Sequence, residues 1–224
     1  MTGVLAIDVG GSHVKALLEG ETEPRQADSG PDMTAAAMVA AVQRFGVGWT
    51  WDRVSIGIPA PVHGGRVVVD PVNLGDGWVG FDFERAFEAS ARVVNDAAMQ
   101  ALGSYEGGTM LFLGLGTGLG SALVSSGVVQ PMELAHLPFR KATFEEYVGE
   151  AALERRGKKR WRRDVHEVVA TLSVALEPDY VVLGGGNAEK LDELPPGSRL
   201  GDNANAFLGG FRLWDPDAPA RILG

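Results

Sequence analysis

Residues 4–12 read Val4-Leu5-Ala6-Ile7-Asp8-Val9-Gly10-Gly11-Ser12, an apolar run that takes in one carboxylate and stops at a glycine pair. A second apolar run, Val14–Leu18, follows almost at once. Short apolar runs bounded by glycines read as buried β-strands, so Val4–Val9 and Val14–Leu18 are expected to pair as a hairpin through Gly10-Gly11-Ser12. The arrangement returns later in the chain. Met110-Leu111-Phe112-Leu113 leads into Gly114-Leu115-Gly116-Thr117-Gly118-Leu119-Gly120-Ser121, and a strand over Ser121–Val124 follows. Two strand–turn–strand units, each followed by mixed helices and strands, predict an internally duplicated α/β fold. Its two lobes would enclose a cleft, with the two turns facing one another across it.

The stretches between fit this plan. Thr34–Phe45 is an alanine-rich helix after the Pro31-Asp32 turn, ended by Gly46. Val54–Ile58 reads as a buried strand stopped by Pro59-Ala60-Pro61, and Arg66–Val69 as a short edge strand. A helix over Phe81–Ala89, a strand over Arg92–Val94 and a helix over Ala97–Leu102 come next. Beyond Val124 the expectation is a mostly polar helical segment, then a helix over Asp164–Leu176, a strand over Tyr180–Leu183, the triplet Gly184-Gly185-Gly186 and a last helix over Ala204–Phe211. The expected lobes are residues 1–97 and 98–202, with a final helix at about 203–215 packing back on the first.

At 224 residues the chain is long for one compact domain and suits two small lobes. No apolar stretch approaches the ~18–20 residues of a membrane span. The first strand begins so early that no signal peptide is expected, and cysteine is absent, which excludes disulfides and thiolate metal sites. The expectation is a cytoplasmic protein. Net charge is −9, yet residues 155–163 read Arg-Arg-Gly-Lys-Lys-Arg-Trp-Arg-Arg, seven of the 20 Lys and Arg in nine positions. Such a run on an acidic protein is either a docking point for a polyanion or a solvated charged surface.

Glycines in both turns let backbone amides approach an anion, and Ser12 and Thr117 add hydroxyl donors. Asp8 can hold Mg²⁺, which takes carboxylate, phosphate and water oxygens, or can be plain hairpin chemistry. The Gly114–Gly120 glycines are spaced by two and lie between strands, which fits neither a Rossmann fingerprint nor a Walker loop. Asn95-Asp96 is either a helix N-cap or a hydroxyl-binding pair in which Asp96 accepts a proton; an Asp of ordinary acidity would be a poor general base. Glu133-Leu134-Ala135-His136 and Glu145 could read sugar hydroxyls. His13, His63 and His166 show no metal-ligand spacing, so no zinc is expected. A carboxylate between two phosphate-holding turns is what transfer of a phosphoryl group to a small molecule requires.

Taken together, these segments resemble the ROK family of sugar kinases, within the actin-like and hexokinase-like (RNase H-like) superfamily. The resemblance covers nearly the whole chain and is nearest to the family's short polyphosphate-dependent glucokinases. It implies a first phosphate motif at Asp8, Gly10, Gly11 and Ser12 with Lys15, and a second at Gly116, Thr117 and Gly118. It implies donor contacts at Gly184, Gly185 and Gly186, a catalytic Asp96, and sugar contacts at Asn73, Asn95, Asp96, Glu133, His136 and Glu145. Mg²⁺ near Asp8, a hexose such as glucose, polyphosphate or ATP as donor, and a homodimer follow from the same resemblance, with no nucleic acid or membrane partner. The family's cysteine-rich zinc motif is missing, so His136 is expected to be oriented by packing alone. Ala135, Ala60 and Ala98 depart from the family pattern and are expected to touch the sugar-site surroundings. The rival readings are an ATP-dependent kinase of another hexose, and a non-catalytic ROK-type regulator; strand one begins at residue 4, so no helix-turn-helix is expected ahead of it.

Overall fold

The structure, a computed structural model, describes residues 3–202 and 204–222. Met1, Thr2, Asn203, Leu223 and Gly224 lie outside the described residues, so the first residue of the expected 203–215 helical span cannot be compared. The first half of the chain forms β1 (Gly3–Val9), β2 (His13–Leu18), β3 (Arg25–Asp28), α1 (Ala35–Phe45), β4 (Trp51–Ile58), β5 (Val62–His63), β6 (Arg66–Val67), α2 (Phe83–Phe87), β7 (Ser90–Asn95) and α3 (Asp96–Ser104). The second forms β8 (Met110–Leu115), β9 (Leu119–Ser125), β10 (Val128–Met132), β11 (Pro138–Phe139), β12 (Ala142–Thr143), α4 (Glu145–Val148), α5 (Glu150–Arg156), α6 (Lys158–Leu176), β13 (Tyr180–Gly184), β14 (Ser198–Leu200), α7 (Asn205–Arg212) and β15 (Arg221–Ile222).

The duplication is visible in strand order. The first sheet runs β3-β2-β1-β4-β7 and the second β14-β13-β8-β9-β10-β15. In each, three consecutive antiparallel strands (β1 to β3, β8 to β10) are extended by parallel strands beside the first of them. Each sheet supports its own core. Leu5, Ile7, Val54 and Ile56 pack with Met38, Val39 and Val42 of α1, whose Thr34 cap accepts the Ala37 amide at 3.1 Å. Leu111, Leu113 and Val181 pack with Trp161, Val165, Val168 and Val169 of α6.

Helices α3 and α7 sit between the sheets and touch through glycine. A Cβ on Gly103 would overlap the Asn205 carbonyl, and one on Gly209 the Met99 carbonyl. Arg212 finishes the contact by donating to the carbonyls of Leu102 and Gly103 at 2.7 and 2.9 Å, covering open acceptors at the end of α3. Gly210 lies against Ala6, and its carbonyl accepts the Ser55 hydroxyl at 2.6 Å, which seats α7 on β1 and β4. Residue 97 falls within α3, the helix that contacts both sheets.

Several elements depart from the sequence expectation. The segment after β9 is a strand, not a helix: Ser126 and Gly127, at φ 53° and 72°, make a two-residue turn that returns the chain as β10. Arg66–Val69 shortens to β6, paired with β5 outside the main sheet, and Val69 is exposed. The polar strand β3 was not anticipated. Helix α6 begins at Lys158 rather than Asp164, so most of the cationic run is helical, with Gly157 at φ 74° separating it from α5. Among the described residues no helix is long and apolar enough to cross a membrane.

Candidate active site

The strand ends bring two carboxylates together. Asp8, next to last in β1, is registered opposite Lys15 of β2 and beside Gly57 of β4. Gly57 in turn pairs with Val94 of β7, two residues before Asp96 opens α3. A Cβ on Gly57 would come within 3.3 Å of the Asp96 Cα and press on Met99, so glycine lets α3 settle over the strand ends. Burial pushes the Asp8 carboxyl up to about 6, with Lys15 opposing. Burial pushes Asp96 up to about 7, the Asp8 charge adds to the rise, and Glu133 adds less, against the lowering effect of its amide hydrogen bonds. Asp96 therefore does not have the ordinary acidity expected from sequence; it titrates where a proton acceptor is most useful.

Asn95, not Asp96, is the helix cap. Its Oδ1 accepts the Ala98 amide at 3.1 Å while its Nδ2 donates to the Ala60 carbonyl at 3.3 Å. Asp96 accepts the Ala97 amide at 2.8 Å. With both ends of its amide engaged, Asn95 fixes the strand-to-helix step that aims Asp96.

Each glycine turn is closed by a backbone hydrogen bond, of different span in the two. The Gly10 amide donates to the His13 carbonyl at 2.9 Å, and the Gly116 amide to the Gly118 carbonyl at 3.2 Å. The amides of Gly11 and Ser12 in one turn and of Thr117 and Gly118 in the other take no part in these closures. The turns also meet across the cleft: a Cβ on Gly11 would lie 3.5 Å from the Asn73 Cβ and 3.7 Å from Thr117 Oγ1. Ser12, Asn73 and Thr117 are exposed to the cleft mouth.

Glu133 precedes and His136 ends a single 3₁₀ turn, Leu134–His136, with Glu133 Oε2 and His136 Nε2 3.7 Å apart and both side chains largely exposed. Glu145, the first residue of α4, lies over Gly118, where a Cβ would collide with its carboxylate, and accepts the Leu119 amide at 3.3 Å. It thus touches the second glycine turn. Of the triplet, Gly184 ends β13 against the Phe112 ring, Gly185 at φ 81° presses on the Leu115 backbone, and Gly186 has open space where a Cβ would stand.

Asn187 escaped sequence reasoning. It is buried, its amide donates to the Leu115 carbonyl at 2.9 Å, and its Nδ2 donates to the Gly116 carbonyl at 3.1 Å, tying the glycine triplet to the second turn. Lys190 Nζ reaches its Oδ1 at 2.5 Å. The available signal was an asparagine directly after three glycines. Ala135, Ala60 and Ala98 are all buried in hydrophobic clusters, and the Ala60 carbonyl and the Ala98 amide both bond the Asn95 side chain.

Two sheets of repeated topology, each with a glycine turn closing its first hairpin, make up the actin-like two-lobe fold. The resemblance read from the sequence is borne out by similarity to known proteins: in sequence the chain is similar to the polyphosphate glucokinase of Mycobacterium tuberculosis, 28% identical in an alignment 216 positions long that covers 85% of this chain and 80% of that one. Its structure is similar to the inorganic polyphosphate/ATP-glucomannokinase of Arthrobacter sp. strain KM, with a TM-score of 0.82, 21% identity and coverage of 94% and 97%. It is also similar to a ROK family glucokinase from Streptomyces griseus in complex with glucose and AMPPNP, with a TM-score of 0.76, 17% identity and coverage of 94% and 98%. No protein-family profile matches the chain.

Proposed function

We propose that this protein is a hexose kinase that phosphorylates a primary hydroxyl, glucose O6 in the first instance, using polyphosphate, ATP or both. The observation that carries this reading is a pair of carboxylates at the strand ends, Asp96 raised by burial to about 7 beside Asp8, which leads into the first glycine turn. Asp96 takes the hydroxyl proton as the sugar oxygen bonds to the terminal phosphorus, and the bond from that phosphorus to the bridging donor oxygen breaks. The products are a sugar phosphate and a donor shortened by one phosphate. Asn73, Glu133, His136 and Glu145 hold the ring, and Asn95 keeps Asp96 aimed. The amides at Gly11, Ser12, Thr117 and Gly118 cradle phosphate oxygens, Lys15 adds charge, and Gly185 and Gly186 border the donor path. In-line positioning and charge neutralisation supply most of the acceleration, and closure of the lobes keeps water from competing as acceptor.

The donor set fits Mg²⁺. Among the described residues no three His, Asp or Glu side chains gather into a protein cage for a metal. Mg²⁺ instead takes one or two carboxylates and fills its shell with phosphate and water. Asp8, with its ionisation held back by burial beside Asp96, is a carboxylate that a cation would favour in charged form. When bound, the cation would neutralise donor phosphate charge.

The test is a coupled assay of glucose phosphorylation with ATP and with polyphosphate, side by side, on the parent and on Asp96→Asn. The expected result is parent turnover with at least one donor, and loss of several orders of magnitude in a variant that still folds and binds glucose. A variant turning over near the parent rate would make Asp96 only part of a helix start and sink the kinase reading.

A further inference from the structure

The cationic run is divided on folding, and one of its members joins a buried ion cluster behind the sugar segment. Asp164, on the first turns of α6, is fully buried. Its Oδ2 accepts Arg156 Nε at 2.8 Å and its Oδ1 accepts Arg140 Nη1 at 2.8 Å, so one carboxylate holds an arginine on each oxygen. Arg140 occupies the tip of the β11–β12 hairpin at φ 54° and also pairs with Glu167, further along α6. Its guanidinium lies 4.8 Å from the Phe139 ring centroid and 5.1 Å from that of Tyr147, while Arg156 approaches Tyr147 from 4.8 Å. Phe139 packs on Phe144, with centroids 5.0 Å apart.

The hairpin held in this way joins the two halves of the sugar segment. His136 leads into its first strand, the Phe144 amide returns to the Leu137 carbonyl at 3.2 Å, and Glu145 follows directly. With its tip fixed on α6, the base of the hairpin has one spacing between His136 and Glu145. We infer that Asp164, acting through Arg140, is a positioning residue for the sugar site. This rests on the hexose-kinase reading. A buried ion pair adds little net stability over apolar side chains of the same volume. What it supplies is a fixed fork, which greasy packing of the hairpin tip would not. His136 is thus not oriented by packing alone.

Arg140→Met tests this cleanly, because the methionine stem keeps the contact with Phe139 and Tyr147 while Asp164 retains Arg156 as its partner. The expected result is amide hydrogen exchange across residues 136–145 faster by roughly tenfold, with α6 core amides unchanged. The glucose KM should rise by roughly tenfold or more and the donor KM by less than about twofold, since a small misplacement of binding groups costs up to ~100-fold. Arg140→Lys should recover part of both effects. Unchanged exchange across 136–145, or faster exchange with an unchanged glucose KM, overturns the inference. So does equally faster exchange throughout the chain, which would mean plain loss of stability. A parent without turnover of any hexose sinks the kinase reading alone; the exchange comparison of Arg140→Met and Arg140→Lys then decides whether the cluster sets the hairpin.

Discussion

In Asp96 the burial that suits proton acceptance works against folding. Its folded value of about 7 lies above the ordinary 3.8, so between these limits the native chain keeps a proton that the unfolded chain has released. Stability is then greatest on the acid side of the window and falls as pH rises through it. In EDTA, the thermal midpoint should decline between pH 5 and 8, and Asp96→Asn should flatten that decline. At pH 8 the variant should be the more stable protein by on the order of 1–3 kcal/mol, measured by denaturant unfolding. Activity runs the other way, since only ionised Asp96 accepts a proton. The parent rate should fall as pH drops below about 7, with the limb displaced to lower pH when Mg²⁺ is saturating. Gly118 offers a second check at this scale. Gly118→Ala should push Glu145 off the Leu119 amide and raise the KM of both sugar and donor, read in steady-state kinetics. The glycine turns and Asp96 were legible because short apolar runs frame them. The altered acidity of Asp96 was not, because it depends first on burial where α3 settles over the strand ends at Gly57, and then on Asp8 of another strand. Asn187 was illegible for the same reason: its partner Gly116 is distant in sequence.

The Arg155–Arg163 run shows how an element sorts residues that look alike in a row. Arg155 donates to the Glu146 carbonyl at 2.8 Å, Arg156 holds Asp164, and Arg162 donates to the Lys190 carbonyl at 2.6 Å and pairs with Asp192. Lys158, Lys159, Arg160 and Arg163 are exposed on α6 and remain to meet a polyanion. Neutralising all seven would therefore mix binding with folding. Glutamine at the four exposed positions should raise the polyphosphate KM several-fold at low salt, an effect that shrinks with added salt as the Debye length falls to ~8–10 Å. The ATP KM should move much less, because a triphosphate is short and is held by the backbone turns; equal losses with both donors would place the four cations at a shared site. Helix α6 was read as starting at Asp164 because charges obscure its period, although Trp161 already belongs to the buried stripe. The Ser126-Gly127 turn lacked the usual Asn-Gly signature, and β10 went unread with it.

At the scale of the molecule, the repeated strand–turn–strand pattern was enough to forecast two matched sheets, because the same local residues generate each half. The α3–α7 crossing was not in the pattern, since it depends on backbone-to-backbone contact between glycines far apart in sequence. Gly103→Ala should force the two helices apart and cost about 1–3 kcal/mol in unfolding free energy, the usual penalty for added bulk in a packed interface. Its effect on KM should exceed that of an equally destabilising change buried within one core, such as Val165→Ala, because it alters how the lobes meet.

The chain passes from its first sheet to its second twice, through α3 and again where α7 gives way to β15, and returns once, from β14 to α7. Beside the second passage lies a cavity of about 530 Å³, lined by Val93, Leu102, Leu213 and Ile222. Three tethers make a door with three pins: swinging about the line that joins them is the motion that stretches them least. A single protease cut between residues 214 and 219 would remove one pin and leave the leaves hung on the other two, with a looser swing.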